Sequence, residues 1–132
     1  MKIEAKKVVV NRSAEHVFDF FNDLSNFKKL MPANLSKFQV IDKDTFVFGL
    51  QGMPEITLKK KESLAPEKIV FGAANSPIEF DLTGNITAVD NNSSVVQLAF
   101  KGKINPMMSM MVKGPLTKLL AQFSDGLTKL FQ

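Results

Sequence analysis

The segment NPMMSMMVKGPLTKLLAQFSDGLTKL, residues 105–130, decides the fold. Its apolar residues recur at spacings of three and four, which predicts one long amphipathic helix. We expect Asn105 to cap this helix and Pro106 to occupy its first position, where the missing N–H costs nothing. The apolar stripe must be covered by another large apolar surface. The stripe itself consists of Val112, Leu116, Leu119, Leu120, Phe123, Leu127 and Leu130.

The covering surface is predicted by the segments before the helix, where apolar and polar residues alternate with a period of two. Short polar turns separate these segments, so we expect an antiparallel meander with one apolar face and one polar face. The longest alternation is IEFDLTGNITA, residues 78–88. The six expected strands comprise residues 38–41, 45–50, 55–63, 68–74, 78–88 and 94–104.

The N-terminal part of the chain predicts one strand and two short helices. KIEAKKVVV, residues 2–10, ends in β-branched residues and predicts the strand. Ser13 is expected to cap a helix that ends near Asn22. Ser25 is expected to cap a second short helix, which Pro32 ends. The two helices are expected to close one end of the predicted sheet.

The chain is therefore expected to form one α+β domain over residues 1–132, with a strongly curved antiparallel sheet of about seven strands around the C-terminal helix. This order of elements, and the local sequence VNRSAEHVFDFFNDLSNFKKLMP of residues 10–32, resemble the START-like (SRPBCC) helix-grip superfamily. That superfamily includes polyketide cyclase/dehydrase-like and birch-pollen-allergen-like proteins. Phe27 or Leu30 stands where its members commonly have an aromatic residue. The resemblance implies binding or carriage of a small hydrophobic molecule, such as a lipid, a quinone or a polyketide-like compound, between sheet and helix.

A ligand cavity in this place would be lined by the inner face of the sheet and by the first half of the long helix. Gly114 removes a side chain and Pro115 removes a helical hydrogen bond, which favours a bend of the helix over the cavity mouth. The predicted rim consists of Met31, Met53, Met107, Gly114 and Pro115. The predicted lining consists of Phe46, Phe48, Leu58, Phe71, Phe80, Leu82, Leu98, Phe100, Met108, Met111, Val112 and Leu116.

Four of the seven methionines lie within residues 107–111, and three interpretations of this cluster remain open. Methionine fills irregular gaps, so the cluster is consistent with core packing where the helix begins. Its flexible, polarisable side chain also suits the rim of a pocket or a lipid portal. Exposed apolar patches often mark interfaces, so contact between the subunits of a homodimer is the third interpretation.

An enzyme of the cyclase/dehydrase kind is the alternative function, and it requires an acid or a base inside the cavity. Alternate residues of a strand point to the same face, so Lys60 and Glu62 are predicted to face inward with Ile56 and Leu58. These two residues are therefore the candidate acid and base. The remaining inner face is apolar and supplies hydrophobic binding but little chemistry. Binding is therefore favoured over catalysis, and no catalytic residue is assigned.

Other ionisable residues are interpreted as solvated surface groups. His16 lies on the polar side of the first helix, and no nucleophile pairs with it in the sequence. The alternation along their strand places Glu79 and Asp81 on the outer face of the sheet. Lys59 and Lys61 lie on that face as well, and docking to a membrane surface is their alternative interpretation.

Composition excludes several classes of site. The 132 residues contain no cysteine and one histidine, which excludes disulfides, thiol nucleophiles, thiolate metal sites and His-rich metal sites. We expect neither a metal nor a cofactor. The net charge is +4, but the lysines are scattered and the twelve phenylalanines follow the buried periodicity, so nucleic-acid binding is not expected. There is no apolar run of about 18 residues and no signal-like N-terminus, so we expect a soluble, cytoplasmic protein without stable membrane insertion.

Overall fold

A computed structural model describes residues 1–53, 55–74 and 79–132 of the chain. The predicted positions Ile78 and Pro54, and the predicted turn at 75–77, lie outside the described residues. The elements are β1 (Lys2–Glu4), β2 (Val8–Val10), α1 (Ala14–Asn22), a 3₁₀ helix (Leu24–Leu30), β3 (Leu35–Asp42), β4 (Thr45–Leu50), β5 (Ile56–Leu64), β6 (Lys68–Ala74), β7 (Glu79–Asp90), β8 (Ser93–Lys103) and α2 (Pro106–Leu130).

The strands form one curved antiparallel sheet in the order β1-β8-β7-β6-β5-β4-β3, and β2 also pairs with β8. The predicted meander and the α+β helix-grip architecture are thereby confirmed. The prediction of a single first strand over residues 2–10 is wrong. Ile3 lies opposite Phe100 while Val8 lies opposite Val96, so one extra residue separates β1 from β2. That residue lets Ile3 and Val8, which differ in parity, both face the core.

Side-chain caps fix the beginnings of the helices. The Ser13 hydroxyl accepts a hydrogen bond from the backbone N–H of His16 at 3.2 Å, as predicted for α1. The 3₁₀ helix is capped by Asp23, and the predicted cap Ser25 is wrong. The 3₁₀ helix begins at Leu24, so Ser25 already lies within its first turn. The backbone N–H of Ser25 donates a hydrogen bond to the Asp23 carboxylate at 3.2 Å. Asn105 caps α2 as predicted.

The long helix α2 continues through Gly114 and Pro115 to Leu130. Its predicted apolar stripe is buried over residues 112–127. Leu130 is exposed, so its predicted place in the stripe is wrong, because the helix ends there. Phe131 is buried in its place, with its ring centroid 5.1 Å from that of Phe20.

No helix among the residues that the structure describes is both long enough and apolar enough to cross a membrane.

The centre of the core is the ring of Phe27, which comes from the 3₁₀ helix and is almost fully buried. It stacks on Phe46 of β4 with 4.8 Å between ring centroids and meets Phe71 of β6 edge-on at 5.4 Å. It also lies 5.7 Å from Phe21 of α1 and 6.0 Å from Phe123 of α2. One side chain thus contacts the sheet and both α-helices.

Replacing this ring tests its central position. Phe27→Ala is expected to lower the free energy of unfolding by about 3–5 kcal/mol, because it leaves a cavity among several rings. Phe38→Ala is the matched control, since Phe38 is half-buried and packs at the edge of the core against Phe46. Urea denaturation measures both losses, and equal losses would contradict the central role of Phe27.

Candidate ligand-binding site

The predicted lining residues on the strands all lie in one buried hydrophobic cluster. The register explains this result, because Phe46 lies opposite Leu58, and Phe71 lies opposite Leu82, across neighbouring strands. Paired residues of antiparallel strands point to the same face, which here is the inner face. The buried members are Phe46, Phe48, Leu58, Phe71, Phe80, Leu82, Leu98 and Phe100, joined by Val112 and Leu116 of α2.

Part of the space between sheet and α2 is filled by aromatic side chains. The rings of Phe46 and Phe71 lie 5.9 Å apart, and both contact Phe27. Phe80 and Phe100 meet edge-on at 5.1 Å. Around these rings the predicted lining residues pack against one another.

An open cavity of about 420 Å³ lies where the first half of α2 passes the end of β4, and we call it the α2 cavity. Three predicted rim residues line it, namely Met53, Gly114 and Pro115. Its floor includes Leu50 and Leu119, which are buried members of the core cluster. The α2 cavity therefore reaches two side chains of the hydrophobic core from the protein surface. The other lining residues are Pro32, Asn34, Gln51, Lys118 and Gln122.

Sequence reasoning missed most of the wall that α2 contributes, although a signal was present. Pro115, Lys118, Leu119 and Gln122 follow one another at spacings of three, one and three, which places them on one side of the helix. Lys118 and Gln122 are polar, so the spacing of apolar residues does not reveal them. The amides of Asn34 and Gln51 come from chain segments just outside β3 and β4, whose position depends on tertiary structure.

The methionine cluster divides between two faces of α2. Met108 is half-buried and packs against the core. Met107, Met110 and Met111 are exposed by 75%, 86% and 59%. Met111 was predicted to line the cavity, and Met107 to form its rim, yet both point away from the inner face. Met31 of the predicted rim is half-buried beside Pro32.

The two candidate catalytic residues do not form an inward-facing pair. Lys60 lies opposite Phe71, but Glu62 lies opposite Val70, because Lys61 forms a β-bulge between them. The bulge turns Glu62 to the outer face, where it is exposed, so its predicted inward orientation is wrong. The Lys60 ammonium contacts Asp44 at 3.5 Å and donates a hydrogen bond to the side-chain oxygen of Asn22, at the end of α1.

A turn next to Lys60 contains a carboxylate with a shifted pKa. The backbone N–H of Asp44 donates a hydrogen bond to Asp42 at 2.9 Å and lowers the pKa of Asp42. The neighbouring Lys59 charge acts in the same direction. This carboxylate is fully ionised at neutral pH and stabilises the turn between β3 and β4, which is a structural role.

Two further concave regions have walls made largely of charged residues. One, of about 650 Å³, lies on the outer face of the sheet and includes Lys61 and Asp81, which form an ion pair at 3.2 Å. The other, of about 530 Å³, includes Arg12 and the exposed His16, whose ring lies edge-on to Phe131. Among the described lining residues, these two walls carry seven and four Lys, Arg, Asp or Glu side chains, whereas the α2 cavity carries one, Lys118. The α2 cavity is therefore the better candidate for an apolar ligand.

Comparison with solved structures identifies the architecture. Norcoclaurine synthase from Thalictrum flavum aligns with a TM-score of 0.78 and 15% identity, over 99% of this chain and 93% of that chain. A START superfamily protein from Mycobacterium smegmatis aligns with a TM-score of 0.70 and 13% identity, over 99% of both chains. The KanY protein aligns with a TM-score of 0.78 and 13% identity, over 99% of this chain and 97% of that chain.

This chain has the START-like helix-grip fold. No protein-family model and no curated protein sequence matches it. At these identities the likeness concerns the fold, so the function of this helix-grip protein has to be argued from its own cavity and surface.

Two glycines of α2 allow a test of the geometry at the α2 cavity. A Cβ atom added to Gly114 meets nothing within 4 Å, whereas one added to Gly126 lies 3.1 Å from Leu30 Cδ2. Gly114→Ala is expected to raise the free energy of unfolding by about 0.5–1 kcal/mol through helix propensity alone. Gly126→Ala, the matched control, is expected to gain less, because Leu30 must move. Thermal and urea denaturation measure both changes, and a destabilising Gly114→Ala would contradict the open space at this position.

Proposed function

We propose that this helix-grip protein binds a small, mainly apolar molecule, which enters through the α2 cavity and contacts the inner face of the sheet. The observation that carries the proposal is the α2 cavity itself, whose floor is the buried pair Leu50 and Leu119. Small-molecule sites typically measure about 300–1,000 Å³, and the α2 cavity lies in the lower part of this range. A compact guest with one or two rings therefore fits better than a long acyl chain.

The wall chemistry favours a guest with an apolar body and one polar or anionic end. Met53 and Pro115 add apolar surface beside the floor, and burial of apolar ligand area contributes about 25 cal/mol per Å². The polar groups stand at the outer part of the wall, where Lys118 contributes a positive charge and Gln51 and Gln122 contribute amides. A guest with a carboxylate, sulfonate or phenol at its outer end matches this distribution.

The fold comparison supports the same class of guest. Norcoclaurine synthase of Thalictrum flavum has been solved in complex with dopamine and hydroxybenzaldehyde, which are small aromatic molecules with polar ends. It shares the helix-grip fold over 98% of this chain. The likeness supports a ligand of similar size, whereas Lys60 and Glu62 give no inward acid–base pair on which to base a shared reaction.

Blocking the α2 cavity tests the proposal. Gly114→Phe places a ring in the open space beside Pro115 and is expected to weaken binding of anilinonaphthalene sulfonate by about tenfold, or about 1.4 kcal/mol. Ala121→Phe is the matched control, because Ala121 is exposed on the same helix and does not line the α2 cavity. Fluorescence titration measures the dissociation constants of both variants and of the parent chain.

Two results would contradict the proposal. The first is equal affinity of the parent chain and Gly114→Phe for the probe. The second is the absence of any bound apolar compound in native mass spectra of the protein, both as purified and after incubation with the probe.

A further inference from the structure

The first turns of α2 carry apolar side chains on two opposite faces. Met108 and Val112 face the core. Met107, Met110 and Met111 are spaced by three and four residues and share the opposite, solvent-exposed face, which we call the methionine face. A contiguous group of large exposed apolar side chains on a folded protein marks an interaction surface.

The chain segment that carries the methionine face is positively charged. Residues 101–124 contain four lysines and no aspartate or glutamate, so this short segment carries a charge equal to the net charge of the chain. Lys103 is the last residue of β8, three positions before the start of α2, while Lys113 and Lys118 lie within the helix. Among residues 1–53, 55–74 and 79–132, the ion pairs involve other lysines. Lys113 and Lys118 are therefore available to an external anion, whereas Lys103 lies opposite Glu79 of β7.

These two properties together favour one kind of partner. A second copy of this chain placed symmetrically on the methionine face would bring lysines against lysines, which is unfavourable. The surface of an anionic bilayer offers apolar acyl chains for the methionines and negative head groups for the lysines. We propose that the methionine face docks peripherally on anionic membrane surfaces, with α2 lying along the interface without spanning it.

This orientation has a consequence for the α2 cavity. Gly114 follows Met110 and Met111 along the same helix and lines the α2 cavity, and Lys118 does so one turn further on. A docked protein would therefore bring the cavity mouth close to the bilayer. Docking goes beyond the proposed ligand binding and does not depend on it, since the methionines and lysines act whether or not the α2 cavity is occupied.

Vesicle flotation tests docking directly. The parent chain is expected to float with vesicles of equal parts phosphatidylcholine and phosphatidylglycerol, and to remain unbound with phosphatidylcholine alone. A Met107→Gln, Met110→Gln, Met111→Gln variant is expected to partition about tenfold less strongly, because the apolar contact is lost. Glutamine has a helix propensity close to that of methionine, so α2 is preserved, as circular dichroism will show.

Matched controls separate this surface from general stickiness. Val9 of β2 and Val89 of β7 are both 60% exposed and do not belong to the methionine face, so Val9→Gln, Val89→Gln is expected to bind vesicles like the parent chain. Replacing Lys113 by glutamine is expected to weaken partitioning by about fivefold. Salt of about 1 M, where the Debye length is about 3 Å, is expected to reduce binding in the same direction.

Three results would overturn docking. One is the absence of binding to the anionic vesicles by the folded parent chain. Another is equal partitioning of the methionine variant and the valine control. The third comes from sedimentation velocity, as a parent dimer that becomes a monomer in the methionine variant would assign this face to self-association. The proposed ligand binding stands apart from all three, because the anilinonaphthalene sulfonate titration requires no vesicles.

Discussion

The fold depends on one contact, the insertion of Phe27 between the sheet and the two α-helices. Its ring meets Phe46 and Phe71 on two strands and Phe123 on α2. A curved sheet and a long helix leave unequal space along their length, and an aromatic ring from a short 3₁₀ helix fills the space at one end. Dense packing at this end fixes how closely the second half of α2 approaches the sheet.

The two ends of α2 differ for this reason. Near Phe123 the helix approaches the 3₁₀ helix so closely that a methyl group at Gly126 would touch Leu30. Near Gly114 the same helix borders open space and the α2 cavity. The cavity at one end of α2 and the aromatic packing at the other therefore have the same cause, which is that one helix crosses a curved sheet. Methionine, glycine and proline collect at the open end, where tight packing is not required.

Much of the fold was predictable from the sequence, because the spacing of apolar residues decides which faces are buried. The period of two from Glu79 to Ala88 corresponds to strand β7, and the spacing of three and four from Val112 to Leu127 corresponds to the buried side of α2. The element order then suffices for the helix-grip architecture. Leu130 and Ser25 were misassigned at the ends of elements, where the periodic signal stops and local hydrogen bonds or chain direction decide.

The site was less predictable, and the reasons are physical. Met111 was predicted to line the cavity because it is apolar and adjacent to Val112 in the sequence. In an α-helix, however, successive residues are rotated by about 100°, which places Met111 on a different side from Val112. Glu62 was placed by strand parity, which a single bulged residue reverses. Asn34 and Gln51 meet α2 only in the folded chain, so no spacing in the sequence connects them.

The β-bulge at Lys61 has a consequence for how such chains are compared. Without Lys61, β5 would alternate regularly, and Lys60 and Glu62 would keep the orientations they have now. The residue therefore behaves as an insertion inside a strand, as does the extra residue between β1 and β2. An alignment that forbids gaps within strands would shift every later position by one and exchange inward for outward residues. Matching this chain to a helix-grip protein whose β5 lacks this bulge requires a gap placed by backbone pairing.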